Sequence, residues 1–308
     1  MLMSLYEFKD MQNMLKESSK THNVELVQHI QTNGTHFTQD YITFFKENGI
    51  RVGISFDGSY GAIRTNQDLV LKNFDVLNCK GMSYGTICVI TKQNMQHMHS
   101  IYEEMVNKKI PIRFNNYIRI GIPATDEKFL PDFEETVRVY CSLFDHWLDD
   151  SQCMVPVDPF YSMLSLILYK LSNICTYSSC LTSWVALDAE GNLTSCNRAI
   201  PKEYSYGNIF DYEDIDEVYI SEGYRKLIEG ATERRRKCKN TCIYFDYCRG
   251  GCNATAIAEG RLEDNGGFSC KFFFEVFSYF LNVVDQMILL GNEPKNPSIN
   301  ELWRKLRR

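Results

Sequence analysis

Eight cysteines follow one another through the second half of the chain, and their thiols are the side chains best suited to chemistry. They are Cys175, Cys180, Cys196, Cys238, Cys242, Cys248, Cys252 and Cys270. Cysteine thiolates bind zinc ions or iron-sulfur clusters, commonly four to a site, so this series suits two four-cysteine sites. Zinc sites usually contain two close pairs separated by a spacer, whereas these spacings are uneven and Cys270 returns from a distance. The pattern favours iron-sulfur clusters, and a zinc-stabilised interaction protein is the alternative.

Glycines and a predicted hairpin accompany the thiols. The segment 238–252 holds four of the cysteines, and Gly250 and Gly251 within it permit tight backbone turns around a bulky cofactor. Between Cys180 and Cys196, the stretch Leu-Asp-Ala-Glu-Gly-Asn-Leu is typical of a hairpin. Such a hairpin brings the two thiols that flank it close together.

Composition narrows the class of protein. The 308 residues carry a net charge of -6, and the basic run at 234–237 is short and local, so nucleic acid is not an expected partner. Residues 1–10 contain no basic stretch leading into an apolar core and a cleavage site, which predicts a cytoplasmic protein without a secretory signal. Because the cytosol keeps thiols reduced, the twelve cysteines indicate metal ligation rather than disulfides.

The hydrophobic pattern of the first half alternates between helix and strand, which is typical of an α/β fold with a mostly parallel sheet. Predicted strands cover residues 24–31, 51–56, 84–90 and 112–118. Predicted helices cover residues 5–19, the stretch between Thr38 as N-cap and Gly49, segments beginning near Asn66 and Met95, and residues 131–148 and 161–171. Because this alternation of helices and strands begins with a helix, we expect earlier strands of the sheet to be missing from the chain.

The apolar segment 272–290 is close to the length of a membrane span. Glu275 and Asp285 lie within it. Such charges are costly in hydrocarbon but routine on one face of a soluble helix. We therefore predict a soluble helix and no membrane partner.

The cysteine series resembles the SPASM module, which follows the barrel in many radical S-adenosylmethionine (radical SAM) enzymes. These include anaerobic sulfatase-maturing enzymes and maturases of ribosomal peptides. The matching positions are Cys180, Gly191, Cys196, Cys242, Cys248 and Cys252. Three residues rather than two separate Cys238 from Cys242, which departs from the family's pattern.

This resemblance implies two auxiliary 4Fe-4S clusters. The first would be held by Cys175, Cys180, Cys196 and Cys252. The second would be held by Cys238, Cys242, Cys248 and Cys270. Cys252 would thus cross from the compact later group of cysteines to the earlier one.

The first half resembles the later strands of the radical SAM partial barrel. The sequences Ile-Gln-Thr-Asn-Gly at 30–34 and Gly-Ile-Ser-Phe-Asp-Gly at 53–58 match two of its strand ends. Polar groups at the strand ends of a parallel sheet are where ligands are expected. Ser55 would lie near the ribose of SAM and Arg64 near its carboxylate, with an ordinary solvated arginine as the alternative. The SAM-binding residues implied by the resemblance are Asn33, Gly34, Ser55, Asp57 and Arg64.

Radical SAM enzymes cleave SAM at a cluster held by a Cys-x-x-x-Cys-x-x-Cys triplet, and this sequence contains no such triplet. We expect the four remaining cysteines, Cys79, Cys88, Cys141 and Cys153, to be core thiols. The favoured explanation for the missing triplet is a truncated or split enzyme. In such an enzyme SAM would bind only in a complete barrel, and a second chain would cover the open edge of the sheet. The alternative is a chain without radical chemistry that keeps its clusters for peptide binding or electron transfer.

The predicted substrate is a peptide or protein, and the resemblance assigns no catalytic residue. Sulfatase-maturing relatives carry an aspartate as proton acceptor directly after the third cysteine of the module, whereas Asn197 follows Cys196 here. An amide cannot act as that base. The departure argues against sulfatase maturation and favours peptide maturation such as thioether formation.

Four segments make up the predicted chain. Residues 1–152 form an α/β fold, an incomplete radical SAM (β/α)6 partial barrel whose first strands are absent. A helical linker, 153–172, leads to the SPASM domain, 173–272. A C-terminal helix and tail occupy 273–308.

Overall fold

The structure is a computed structural model that describes residues 3–60, 64–119, 127–172, 174–177, 180–198 and 200–305. The chain divides into two compact units. The first comprises Met1–Asn116 and Gln152–Asp158, and the second comprises Tyr117–Ser151 and Pro159–Arg308.

The first unit is built around five parallel strands that lie in the sheet in their order along the chain. Its strands are β1 (His29–Thr32), β2 (Arg51–Ser55), β3 (Tyr84–Ile90), β4 (Ile112–Asn116) and β5 (Val157–Asp158). Its helices are α1 (Leu5–Thr21), α2 (Gln39–Glu47), α3 (Gln67–Cys79) and α4 (Met98–Asn107). Because neighbouring parallel strands need long crossover connections, helices alternate with them. The predicted α/β fold with a parallel sheet is confirmed.

The first strand is shorter than the predicted strand 24–31. Residues 24–28 lie outside regular structure, and Val24 and Val27 are exposed. Pairing begins where the next strand becomes available, since the Arg51 amide donates to the Gln28 carbonyl over 3.0 Å and His29 then pairs with Arg51. The β-branched residues before this point have strand propensity but no neighbouring strand, so propensity alone overestimates the strand.

The two faces of the sheet differ in chemistry. Val52 and Ile54 on β2 and Phe114 on β4 are buried, and so they form part of the hydrophobic core. The alternate residues Gly53 and Ser55 point to the opposite face and are only half-buried. Since side chains alternate along a strand, one face of the sheet is apolar and the other carries small or polar groups.

A cap and a glycine set the bounds of α2. The Thr38 hydroxyl accepts a hydrogen bond from the Tyr41 amide, which satisfies one of the free amides at the start of the helix. Asn48 caps the other end, and Gly49 follows with a φ of +64°. The predictions of Thr38 as the N-cap and of Gly49 just past the end of the helix are confirmed.

Gly34, at the turn after β1, adopts a φ of +74°, and a Cβ there would lie 2.5 Å from Ile54 Cγ2. Gly49 also has a positive φ but has no atom within 4 Å of the Cβ position. Gly49→Ala is expected to lower the free energy of unfolding by about 1–2 kcal/mol, the cost of a left-handed alanine. Gly34→Ala is expected to cost about 1–3 kcal/mol more through overpacking. Urea unfolding of both variants measures the difference, and equal losses would show that Ile54 yields to the added methyl group.

The second unit has a core between two long helices, α5 (Phe133–Asp149) and α10 (Gly267–Leu290). Phe144 and Phe280 stack with ring centroids 3.7 Å apart, and Tyr140 meets Phe272 edge-on at 4.8 Å. Phe160, the first residue of α6 (Phe160–Tyr169), packs against both Phe144 and Phe280. Buried aromatic rings therefore supply much of the apolar contact in this core.

In the described part of the chain, α10 is the one helix long and apolar enough to cross a membrane by length and composition. Phe272, Val276, Phe280 and Val284 form a buried stripe along it at every fourth residue. Leu289, near its end, is 83% exposed. One face of α10 therefore packs inside the second unit, which is the pattern of an amphipathic core helix.

The region of the eight cysteines contains three short antiparallel strands, β6 (Ala186–Leu187), β7 (Asn192–Thr194) and β8 (Gly207–Asn208), and the helices α7 (Glu222–Thr241), α8 (Phe245–Cys248) and α9 (Asn253–Ala258). The short helix α11 (Asn300–Arg304) follows α10. The first two strands form the predicted hairpin, and Gly191 in its turn has a φ of +87°. Leu193, Tyr206, Leu227 and Ala231 belong to the small core beneath it.

The four cysteines outside the series do not share one environment. Cys88 and Cys153 are buried, as predicted for core thiols, and Cys141 is half-buried. Cys79 is exposed, so its prediction as a core thiol is wrong. The buried stripe of α3 consists of Val70, Phe74 and Leu77, and Cys79, the last residue of the helix, lies off that stripe.

Candidate functional site: two groups of cysteine thiols

The first group of thiols comprises Cys175, Cys180, Cys196 and Cys252. Burial raises the pKa of the Cys180 thiol, and the charges of Cys252, Cys175 and Cys196 raise it further. All four sulfurs thus lie close enough to interact electrostatically. Cys175 and Cys180 lie in short helical turns, Cys196 follows β7 and Cys252 precedes α9.

Two donors orient sulfurs of this group. The Asn253 side-chain amide donates to Cys180 Sγ over 3.5 Å, and Arg198 Nη1 donates to Cys252 Sγ over 3.4 Å. Donors and positive charge stabilise a thiolate relative to a thiol. Both sulfurs therefore accept hydrogen bonds that a metal-binding thiolate would also use.

The second group comprises Cys238, Cys242, Cys248 and Cys270. Burial raises the pKa of Cys248 to about 12, and the charges of Cys270, Cys238 and Cys242 act in the same direction. Burial also raises the pKa of Cys238, and the charges of Cys270 and Cys242 raise it further. In both groups, neighbouring thiols therefore add to the effect of burial on the pKa of Cys180, Cys238 and Cys248.

A helix explains the spacing at which this sequence departs from the family's pattern. Cys238 lies in the last turn of α7 and Cys242 caps its end, with the Cys242 amide donating to the Cys238 carbonyl over 2.8 Å. Residues four apart lie on the same face of an α-helix. Three intervening residues therefore keep these two thiols together.

A cavity of about 40 Å³ lies among the four thiols of the second group. Aromatic side chains form much of its remaining wall, among them Tyr244, Phe245 and Phe273. Gly250 and Gly251 also line it, with φ values of +86° and +70°, and a Cβ on Gly251 would lie 3.8 Å from Cys248 Sγ. The glycines thus carry the backbone closely around the sulfurs, as their pattern predicted.

The donor sets fit the chemistry of a four-thiolate metal or cluster site. Cysteines lose their protons when they share a metal cation, and the cation offsets the repulsion between the thiolates. Within the described ranges, no group of three or more histidine, cysteine, aspartate or glutamate side chains is arranged to hold a single metal ion.

In the first unit, the predicted SAM-binding residues lie at the ends of β1 and β2. The Asn33 side chain accepts hydrogen bonds from the amide and the hydroxyl of Thr35, so it shapes its own turn. Ser55 Oγ accepts a hydrogen bond from Gln31 Nε2 over 3.1 Å. Gln31 lies across Gly53, where a Cβ would be only 2.1 Å from its Oε1 atom. The pair of Gln31 and Ser55 therefore depends on a glycine between them.

Asp57 and Arg64 form an ion pair. The Asp57 carboxylate is 2% exposed, and it accepts hydrogen bonds from Arg64 Nε and, over 2.7 Å, from the Val89 amide. The fully buried Asn94 donates to the Asp57 carbonyl over 3.0 Å. Asp57 therefore anchors Arg64 beside the strand end, and the Arg64 side chain is 36% exposed. The role of Arg64 toward SAM stays a prediction.

Sequence reasoning missed several residues that organise these sites, including Gln31, Asn94, Asn253 and Arg234. Arg234 belongs to the basic run that we had treated as short and local, yet it is fully buried. A signal was available, because Leu227, Ala231, Arg234 and Cys238 recur at helical spacing and all are buried on α7. The pattern is not recognised as a buried stripe because arginine is normally an exposed residue.

Comparisons with known proteins agree with the fold. No model of a protein family matches the chain. A cysteine-type anaerobic sulfatase-maturating enzyme of Clostridium novyi is 26% identical over 285 residues, which are 88% of this chain and 75% of the relative. A serine-type anaerobic sulfatase-maturating enzyme of Bacteroides thetaiotaomicron is 21% identical over 286 residues, 84% of this chain and 68% of the relative.

A solved structure of native anSMEcpe with bound AdoMet and a peptide, Cp18Cys, superposes with a TM-score of 0.76 at 19% identity. The match covers 93% of this chain and 82% of that one. The parallel sheet of the first unit is consistent with the partial barrel of these structures. The resemblance to radical SAM enzymes of the sulfatase-maturating type is therefore confirmed: they are homologues of this chain over most of its length, and it has their fold.

Proposed function

We propose that this chain is a radical SAM/SPASM-type protein of peptide or protein modification whose eight cysteines hold two auxiliary 4Fe-4S clusters. The observation that carries the proposal is the arrangement of the thiols in two groups of four, each with its own mutual electrostatic interactions. Cys175, Cys180, Cys196 and Cys252 would hold the first cluster. Cys238, Cys242, Cys248 and Cys270 would hold the second.

The polar face of the first unit is the proposed site for SAM. Ser55, fixed by Gln31, offers a hydroxyl at the end of β2, and Arg64, anchored by Asp57, offers donors beside it. Asn33 and Gly34 form the turn at the end of β1, where Gly34 packs against Ile54. When bound at a reducing cluster, SAM supplies the radical that removes a hydrogen atom from a substrate.

The 308 residues contain no Cys-x-x-x-Cys-x-x-Cys triplet. The steps proposed for this chain are therefore its own binding steps: holding the auxiliary clusters, orienting SAM and presenting a peptide. A non-catalytic role in peptide binding or electron transfer is the second candidate. Single-turnover assays with SAM, reductant and a second chain that supplies the triplet distinguish the two, because cleavage of SAM by that assembly excludes the second.

The proposed substrate class is a peptide or protein. The homologues are named for maturating sulfatases, and the superposed structure contains a bound peptide. In this chain Asn197 follows Cys196, and Cys196 Sγ lies 3.7 Å from the Asn197 side-chain oxygen. Because an amide cannot accept a proton as a carboxylate does, we propose a different modification, such as thioether formation. Thiolate-bound clusters of this kind suit the reducing cytoplasm.

The deciding experiment measures iron, acid-labile sulfide and zinc per chain after anaerobic reconstitution. About eight irons with matching sulfide are expected if two cubane clusters are bound. Zinc without sulfide would instead identify a structural metal protein and overturn the proposal.

A further inference from the structure

Arg234 lies in the middle of the cysteine region with no exposed surface. Its guanidinium donates from Nε to the Gly250 carbonyl over 3.0 Å and from Nη1 to the Leu262 carbonyl over 2.7 Å. Nη2 donates to the side-chain oxygen of Asn253. Two of these acceptors, Gly250 and Asn253, lie three residues apart, and Leu262 follows nine residues later; all three are neutral.

The charge of Arg234 therefore lacks an ordinary counter-ion. Three other arginines that are at least partly buried do have one: Arg64 pairs with Asp57, Arg113 with Asp158, and Arg261 with Glu259. Among the described carboxylates, none forms an ion pair with Arg234. A buried charge without a partner of opposite sign is strongly unfavourable, so this site calls for an anion.

The cysteine thiols of both groups lie near Arg234, and they become anionic when they bind a metal or a cluster. Asn253, which accepts from Arg234, donates in turn to Cys180 Sγ of the first group over 3.5 Å. Gly250, which also accepts from Arg234, lines the cavity of the second group. Burial lowers the pKa of Arg234 to about 10, while the charges of Cys238 and Cys252 oppose that shift. The guanidinium stays protonated at neutral pH and feels one sulfur of each group.

We propose that Arg234 is the shared counter-ion of the two auxiliary clusters and raises the reduction potentials of both. The inference rests on the proposed function, since it requires clusters in both groups. A 4Fe-4S cluster with four thiolate ligands is an anion, and reduction adds one more negative charge to it. A buried cation beside it stabilises the reduced form more than the oxidised form.

The test compares anaerobically reconstituted wild-type protein with Arg234→Met and Arg234→Lys. Both substitutions remove the fork of hydrogen bonds, but only the lysine keeps the charge. Arg236→Gln is the control on the same helix, because Arg236 is exposed and bonded to Glu233. Dithionite supplies one electron per cluster, and electron paramagnetic resonance records the reduced fraction at each set potential.

For Arg234→Met, we expect the ratio of reduced to oxidised cluster at a fixed potential to fall at least tenfold, a shift of 59 mV to more negative potential for a one-electron couple. Arg234→Lys is expected to stay closer to wild type, and Arg236→Gln to match it. If only Arg234→Met fails to load clusters while its circular dichroism matches wild type, the requirement for charge is likewise supported.

Unchanged potentials in Arg234→Met would overturn the inference. Equal loss of clusters or of fold in the methionine and lysine variants would also overturn it, because the arginine would then act through its contacts alone. Failure of this inference is distinguishable from failure of the proposed function. The proposed function stands if the wild-type protein binds both clusters, whatever the variants do. Zinc in place of clusters in the wild-type protein would overturn both the inference and the proposed function.

Discussion

Replacing two cysteines of one group is expected to remove about half of the iron and acid-labile sulfide, since each group would hold one of two clusters. Cys242→Ala with Cys248→Ala removes ligands of the second group, and Cys180→Ala with Cys196→Ala removes ligands of the first. The thiols of each pair interact with members of their own group. A cluster left with two of four thiolate ligands is lost, while the other keeps its full set.

Two measurements check this prediction. Iron and sulfide analysis gives the loss, and electron paramagnetic resonance of the reduced protein tells whether the two pairs remove different signals. Cys79→Ala is the matched control, because Cys79 is an exposed cysteine of the first unit and is expected to leave the iron content unchanged. Loss of all iron from either pair, or removal of the same signal by both, would contradict two independent sites.

Phe144→Ala is expected to lower the free energy of unfolding by about 3–5 kcal/mol, the usual cost of removing a buried phenylalanine. Phe144 is fully buried on α5 and stacks on Phe280 of α10, and it also contacts Trp147 and Phe160. The substitution leaves a cavity among rings that cannot all move to fill it. Urea unfolding followed by circular dichroism measures the loss.

Phe210→Ala is the control, because Phe210 belongs to the same unit and is 89% exposed. Its expected effect is within about 0.5 kcal/mol. Adding Phe280→Ala to Phe144→Ala completes a double-mutant cycle, in which we expect a coupling of about 0.5–1.5 kcal/mol for the ring pair. Equal effects of Phe144→Ala and Phe210→Ala would contradict the packing of α5 on α10.

The local patterns of the sequence were sufficient to predict most elements. Residues 84–90 alternate as a strand should, and β3 has those bounds. The helix from Asn66 carries its predicted buried stripe, and Thr38 caps α2. Hydrogen bonding in a helix and side-chain alternation in a strand are local, so they leave a period in the sequence that can be read without knowing the neighbours.

The tertiary structure decided the features that depend on neighbours distant in the chain. β1 begins at His29 because β2 offers a pairing partner only from there, although the residues before it have strand propensity. Asp57 anchors Arg64, Cys79 is exposed, and Arg234 is buried between the two groups of thiols. Burial and charge pairing depend on which groups meet after the chain has folded. Residue type and spacing therefore determined which side chains we predict to bind metal, whereas packing decided which of them interact with one another.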